Sequence, residues 1–168
     1  MALIIETGAI VANANSYASL ATARAFALVR GVVLSAVDAD AEILAIKAVD
    51  FLEAQRSYYQ GAKIEKGQSL QWPRSGVIVD GFEVDEDEIP DLLPKAQCQL
   101  MMDLSAGLDL MPNGTGREVL REKIDVLETE YAATGSGALA PIFTKAMALL
   151  EPLFGSNASI ANVPVIRT

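Results

Sequence analysis

The 168-residue chain is 51% hydrophobic, enough to bury the core of one ordinary domain, and its 22 acidic against 13 basic residues give a formal charge of −9. With no histidine and one cysteine, it lacks the usual ligands of zinc and most transition metals, every catalytic arrangement built on His, and any internal disulfide. The net acidity also argues against a protein whose main task is gripping nucleic acid, because that affinity comes from Lys and Arg on phosphates.

Residues 1–18 read as an extended or irregular lead-in. Leu3, Ile4 and Ile5 are apolar, but Glu6 and Gly8 interrupt them, and no basic region precedes them as in a signal peptide; a cytosolic chain with no membrane partner is expected. A first helix starts after Ser19, whose hydroxyl can cap the run Leu20 to Arg30, and Gly31 supplies a left-handed stop. A second, central helix opens at Asp38 or Asp40, with Ile43, Ile46, Val49 and Leu52 in one stripe widened by Leu44, Ala48 and Phe51, and ends near Tyr58, Tyr59 and Gly61. Asp38, Asp40 and Glu42 have the alternate spacing of a calcium loop without its glycine or distal Glu, so helix capping is the reading preferred.

From Gly61 to Gly81 the punctuation of Gly67, Pro73 and Gly76 predicts a long ordered loop, with Trp72 as its anchor against the core. The acidic run Glu83 to Asp91 follows, read as a solvated face rather than an ion site. A third helix is capped by Asp91, tolerates Pro94 in its first turn, and repeats Leu93, Ala96, Leu100 and Leu104 at helical spacing. Cys98 falls within it as a small buried hydrophobe. Gly107, Pro112, Asn113, Gly114 and Gly116 make a break. In Arg117 to Ala133, Leu120, Ile124, Leu127 and Tyr131 suit a helix, whereas Leu127, Thr129 and Tyr131 alternate with Glu128 and Glu130 as in a strand. A last helix starts near Pro141 and stops near Pro152 and Gly155, and residues 156–168 read as a tail.

No phosphate-binding loop, dinucleotide fingerprint or nucleophile elbow occurs, so no enzyme activity, metal or cofactor is expected. The one local excess of positive charge is Arg56 to Arg74, where Arg56, Lys63, Lys66 and Arg74 face Glu65 alone and interleave with Tyr58, Tyr59 and Trp72. Aromatic faces among bases can stack on unpaired nucleotides, which makes Arg56, Lys63, Lys66 and Arg74 the candidates for weak DNA contact. The competing reading places Tyr58 and Trp72 in the core and leaves the bases in solvent.

Five stretches carry a resemblance along nearly the whole chain. They are Asn13 to Tyr17 with Ser19 and Leu20, Asp50 to Glu53, Leu70 to Val77, Ile89 and Pro90, and Ala96 to Leu100. Arg121 to Ile124 and Glu128 to Tyr131 extend it. In order and spacing they resemble a phage family often labelled DnaT-like single-stranded-DNA-binding protein, whose members look like head-tail connector adaptors. The resemblance implies a mainly α protein: a small four-helix bundle with a long ordered loop, an extended arm at about 117–133 and a C-terminal tail, so that residues 1–155 form one adaptor domain and 156–168 the tail. It also implies a structural virion protein in the phage neck, assembled in the host cytoplasm as a homo-oligomeric, dodecameric ring. Its partners are then itself, the portal, tail or head-closure proteins, and phage DNA passing through the channel without sequence-specific contact. The interface candidates under that reading are Lys63, Lys66, Trp72, Arg74, Ile124, Leu127, Thr129 and Tyr131. The alternative is a single-stranded-DNA-binding module acting in replication; the charge balance sets the structural adaptor ahead of it.

Overall fold

The structure, a computed structural model, describes residues 2–111, 121–124, 127–130 and 143–155. They fall into two compact units, one holding the residues up to Leu110 together with those from Phe143 onward, the other holding the strand pair within 121–130.

Helix α1 spans Leu20–Leu28. Ser19 stands extended at its N-cap and its hydroxyl accepts from the Thr22 N–H at 3.1 Å, satisfying one of the amides a helix start leaves free. At the other end Gly31 adopts φ 75° and the Val32 N–H returns to the Ala27 carbonyl at 3.0 Å, so the expected left-handed stop is present.

Helix α2 spans Asp38–Ala54 and runs into a 3-10 turn at Gln55–Ser57. Its cap differs from the expectation: Val37 occupies the N-cap with no side-chain bond, and Asp38 and Asp40 sit in the first turn. There they complement the positive end of the helix dipole, Asp38 pairing with Arg24 at 2.8 Å and Asp40 accepting from the Ser35 hydroxyl at 3.2 Å. The buried face keeps Val49 and Leu52 of the predicted stripe and Ala48 and Phe51 of its widening, but turns from Ile43 toward Ala41 and Ala45. Ala41, Ala45, Ala48, Val49, Phe51 and Leu52 are inside, whereas Ile43 is 54% exposed. Small side chains at spacings of three and four let a neighbouring helix approach closely, and that contact outweighs the larger isoleucine.

The neighbour is α3, Leu92–Ser105. It buries Leu93, Ala96, Gln97, Cys98, Leu100 and Met101 and packs against α1, α2 and α4, so the central helix is α3 and not α2. Pro94 lies in the first turn, where its missing N–H costs nothing. Asp91 holds the N-cap position but caps no amide with its side chain, which accepts instead from Lys95 Nζ at 3.2 Å. Helix α4, Thr144–Leu150, leads into a 3-10 turn at Glu151–Leu153. Phe143 closes this side of the core, edge-on to Phe51 with ring centroids 5.6 Å apart.

The expected long loop contains two short ladders. Strand β1, Ala62–Lys63, pairs antiparallel with β2, Arg74–Ser75, and β3, Ile78–Val79, pairs with β4, Phe82–Glu83. Asp80 and Gly81 link the second pair at φ 53° and 86°, the double left-handed geometry of a two-residue hairpin turn. Residues 121–130 hold a third pair, β5 at Arg121–Ile124 and β6 at Leu127–Glu130, with Arg121 opposite Glu130 and Ile124 opposite Leu127. Alternation therefore prevails over helical spacing in these strands. The other residues of the expected arm (117–120, 125, 126 and 131–133) and the tail 156–168 lie outside the described residues. Among the described residues four helices and three strand pairs make a mixed architecture rather than the small four-helix bundle expected.

Candidate nucleic-acid interface

Four of the stretches that carry the sequence resemblance, those holding Tyr17, Glu53, Trp72 and Gln97, meet in one network. The Tyr17 hydroxyl donates to Glu53 Oε1 at 2.7 Å, and the Gln71 N–H donates to the same oxygen at 3.1 Å. The Trp72 N–H donates back to the Tyr17 hydroxyl at 3.3 Å. On the far side of Tyr17, its own N–H donates to Gln97 Oε1 at 2.9 Å while Gln97 Nε2 donates to Ser16 Oγ at 2.7 Å. Lead-in, α2, loop and α3 are thus tied through side chains that accept or donate twice, as groups shut away from water must. Burial pushes the Glu53 carboxyl above its ordinary pKa, against the lowering effect of its bonds from Tyr17 and Gln71. Burial, followed by the neighbouring Glu53 charge, drives the Tyr17 hydroxyl well above its own.

The loop is folded onto this network by its largest side chains. Trp72 is fully buried and meets Tyr59 edge-on at 5.5 Å, and the Tyr59 hydroxyl donates to the Leu52 carbonyl at 3.1 Å. Arg74 is 7% exposed. Its guanidinium donates to the carbonyls of Gln60 and Gly61 at 2.6 and 2.8 Å, and more weakly to the Gln71 carbonyl and side-chain oxygen, both at 3.4 Å. Five donors in a planar fork suit this task, which a lysine could not perform. Gly61 adopts φ 63° with its Cα facing the Ser75 carbonyl so closely that no side chain fits. The Gln68 amide completes the loop, accepting from the N–H groups of Ile64 and Glu65 and donating to the carbonyls of Leu70 and Pro73.

These contacts sort the candidates. Trp72 and Arg74 are inside and present no surface for nucleic acid or a partner, as the core-anchor reading of Trp72 holds. Arg56 and Lys66 are exposed, and Lys63 is half-buried with Nζ 3.1 Å from the Gln68 carbonyl. Tyr58 is 48% exposed, its ring 5.9 Å from that of Phe154. The loop therefore offers three cations and one aromatic face to solvent. Ile124, Leu127 and Thr129 lie on the β5–β6 pair, and Tyr131 lies outside the described residues. Among the described residues no three carboxylates, thiols or imidazoles converge as a metal would need, and no helix is long and apolar enough to cross a membrane.

Phe82, 77% exposed on β4 next to the Asp80–Gly81 turn, lies outside the residues expected at the site. Asp-Gly between Ile78–Val79 and Phe82–Glu83 was the available signal.

A model of the family described as "Putative DnaT-like ssDNA binding protein" matches residues 1–168, the whole chain. No similar protein was found among curated proteins, and no similar chain among solved structures. The match overturns the expected structural ring adaptor of a phage neck, with its portal, tail and head-closure partners, because the family description names single-stranded DNA binding. Net charge conceals the local charge in this chain. Residues 54–79 carry four bases against one acid, and residues 80–91 carry seven acids and no base, so the total of −9 averages two segments of opposite sign.

Proposed function

Since the chain belongs to the DnaT-like family of single-stranded-DNA-binding proteins, we propose that it binds single-stranded DNA without catalysis, through the loop surface beside the Tyr17–Glu53 network. The observation that carries this reading is the family match over the full length. The local chemistry fits it: Arg56, Lys63 and Lys66 supply phosphate contacts, and Tyr58 supplies a ring face on which a base can stack. Trp72 and Arg74 act beneath that surface by fixing its shape. A non-catalytic role is supported by the absence of histidine and by the burial of Cys98, whose thiol is pushed up to about 11 and stays protonated at neutral pH.

Fluorescence anisotropy with a labelled oligothymidine of roughly 16 nucleotides, the upper size of one binding module, tests the proposal. Binding at low salt, weaker on the corresponding duplex and lost in Lys63→Glu/Lys66→Glu, is the expected result. No binding at low salt, or equal binding by that double variant, contradicts it.

A further inference from the structure

The hairpin β3–β4 sits apart from the basic loop in chemistry. Phe82 is 77% exposed, and Ile78, on the opposite face of the ribbon since it stands across from Glu83, is 56% exposed. Along the chain from the turn onward Asp80, Glu83, Asp85, Glu86, Asp87, Glu88 and Asp91 are all exposed, Asp91 pairing with Lys95 at 3.2 Å, and no base occurs between Arg74 and Lys95. The hairpin also has an open edge. The Val84 N–H bonds the Val77 carbonyl at 2.9 Å, so the alternation of an antiparallel ladder turns the N–H and C=O of Glu83 away from β3. Among the described residues neither group has a backbone partner.

We propose that this hairpin is a docking surface for a basic, extended polypeptide segment of a partner protein, which pairs along the β4 edge and covers Phe82. Charge complementarity selects the occupant. Seven carboxylates within residues 80–91 repel nucleic acid and favour a Lys- or Arg-rich segment, while Phe82 demands an apolar contact that a purely ionic partner cannot give. Edge pairing then fixes direction and register through main-chain bonds. A divalent cation is a poor fit, because the acids lie along exposed chain and do not converge. The surface is independent of the DNA-binding reading, since it shares none of Arg56, Tyr58, Lys63 or Lys66.

The test uses the full chain and three labelled peptides of equal length: alternating Lys-Val, Lys alone, and alternating Glu-Val. The Lys-Val peptide should bind at low salt at least tenfold more tightly than oligolysine, and the Glu-Val peptide should not bind. Phe82→Ser should weaken the Lys-Val complex about tenfold while leaving the thermal midpoint unchanged, and Asp85→Lys/Glu86→Lys should weaken it further. Lys63→Glu/Lys66→Glu should leave it intact. Oligolysine binding as tightly as Lys-Val, no loss in Phe82→Ser, or displacement of the peptide by millimolar magnesium or calcium overturns the proposal.

Discussion

Glu53 is where the network is most exposed to a single substitution. Both of its bonds fall on one oxygen, and this makes two variants behave differently. Glu53→Ala strands the Tyr17 hydroxyl proton and the Gln71 N–H; a buried donor left unmatched costs about 1–3 kcal/mol, so with Gln71 only part-buried the loss should be about 2–4 kcal/mol. Glu53→Gln keeps an oxygen able to accept from both donors and should stay within about 1 kcal/mol of the parent. The pH dependence has a definite sign. Burial raises the folded-state pKa of Glu53 above its ordinary 4.5, so the folded state holds the proton more tightly than the unfolded chain. The associated stability is fully present below the unfolded pKa and is lost as pH rises through the folded one. Urea denaturation from about pH 4 to pH 8 should therefore show the parent losing ground to Glu53→Gln as pH increases. The reasoning is refuted if Gln is as damaging as Ala, or if the parent gains on Glu53→Gln over that rise.

Trp72→Ala should cost about 3–5 kcal/mol by chemical denaturation, since it empties a fully buried site; a loss under about 1 kcal/mol would mean the loop is not anchored there. Gly61→Ala should reduce stability and loosen the β1–β2 pair, seen as faster amide exchange across Ala62–Lys63 and Arg74–Ser75, because its methyl would meet the Ser75 carbonyl. Cys98 should react with a thiol reagent in the folded protein only at the rate of global opening, as it is 1% exposed with its pKa raised to about 11; rapid labelling of the native chain would contradict its placement.

Much of the helical framework was legible because its signals are local. Ser19 and Gly31 mark α1 by cap chemistry, and Leu93, Ala96 and Leu100 mark the inner face of α3 by spacing. The face of α2 was legible at Ala48, Val49, Phe51 and Leu52 but not at Ile43, because hydrophobic weighting favours Ile43 over Ala41 and Ala45, whereas close helix approach favours the alanines. The fate of Arg74 could not be read at all. Its partners are main-chain carbonyls of Gln60, Gly61 and Gln71, which leave no mark in a sequence, so a buried structural cation looked like a DNA contact. The turn at Asp80–Gly81 is legible in its Asp-Gly pair, although the neighbouring acids suggest only a solvated face.

The central claim is that an acidic chain binds single-stranded DNA through a local basic surface, and its most direct measurement is the salt dependence of oligothymidine affinity. Three cations, Arg56, Lys63 and Lys66, give a slope of log K against log salt of about −2 at roughly 0.7 per single-strand phosphate contact. Affinity should then fall about 20-fold between 50 and 200 mM salt. In Lys63→Glu/Lys66→Glu, binding at 50 mM should fall below detection. A slope near zero, or a slope of about −2 that persists in the double variant, would show that DNA is not held on this surface.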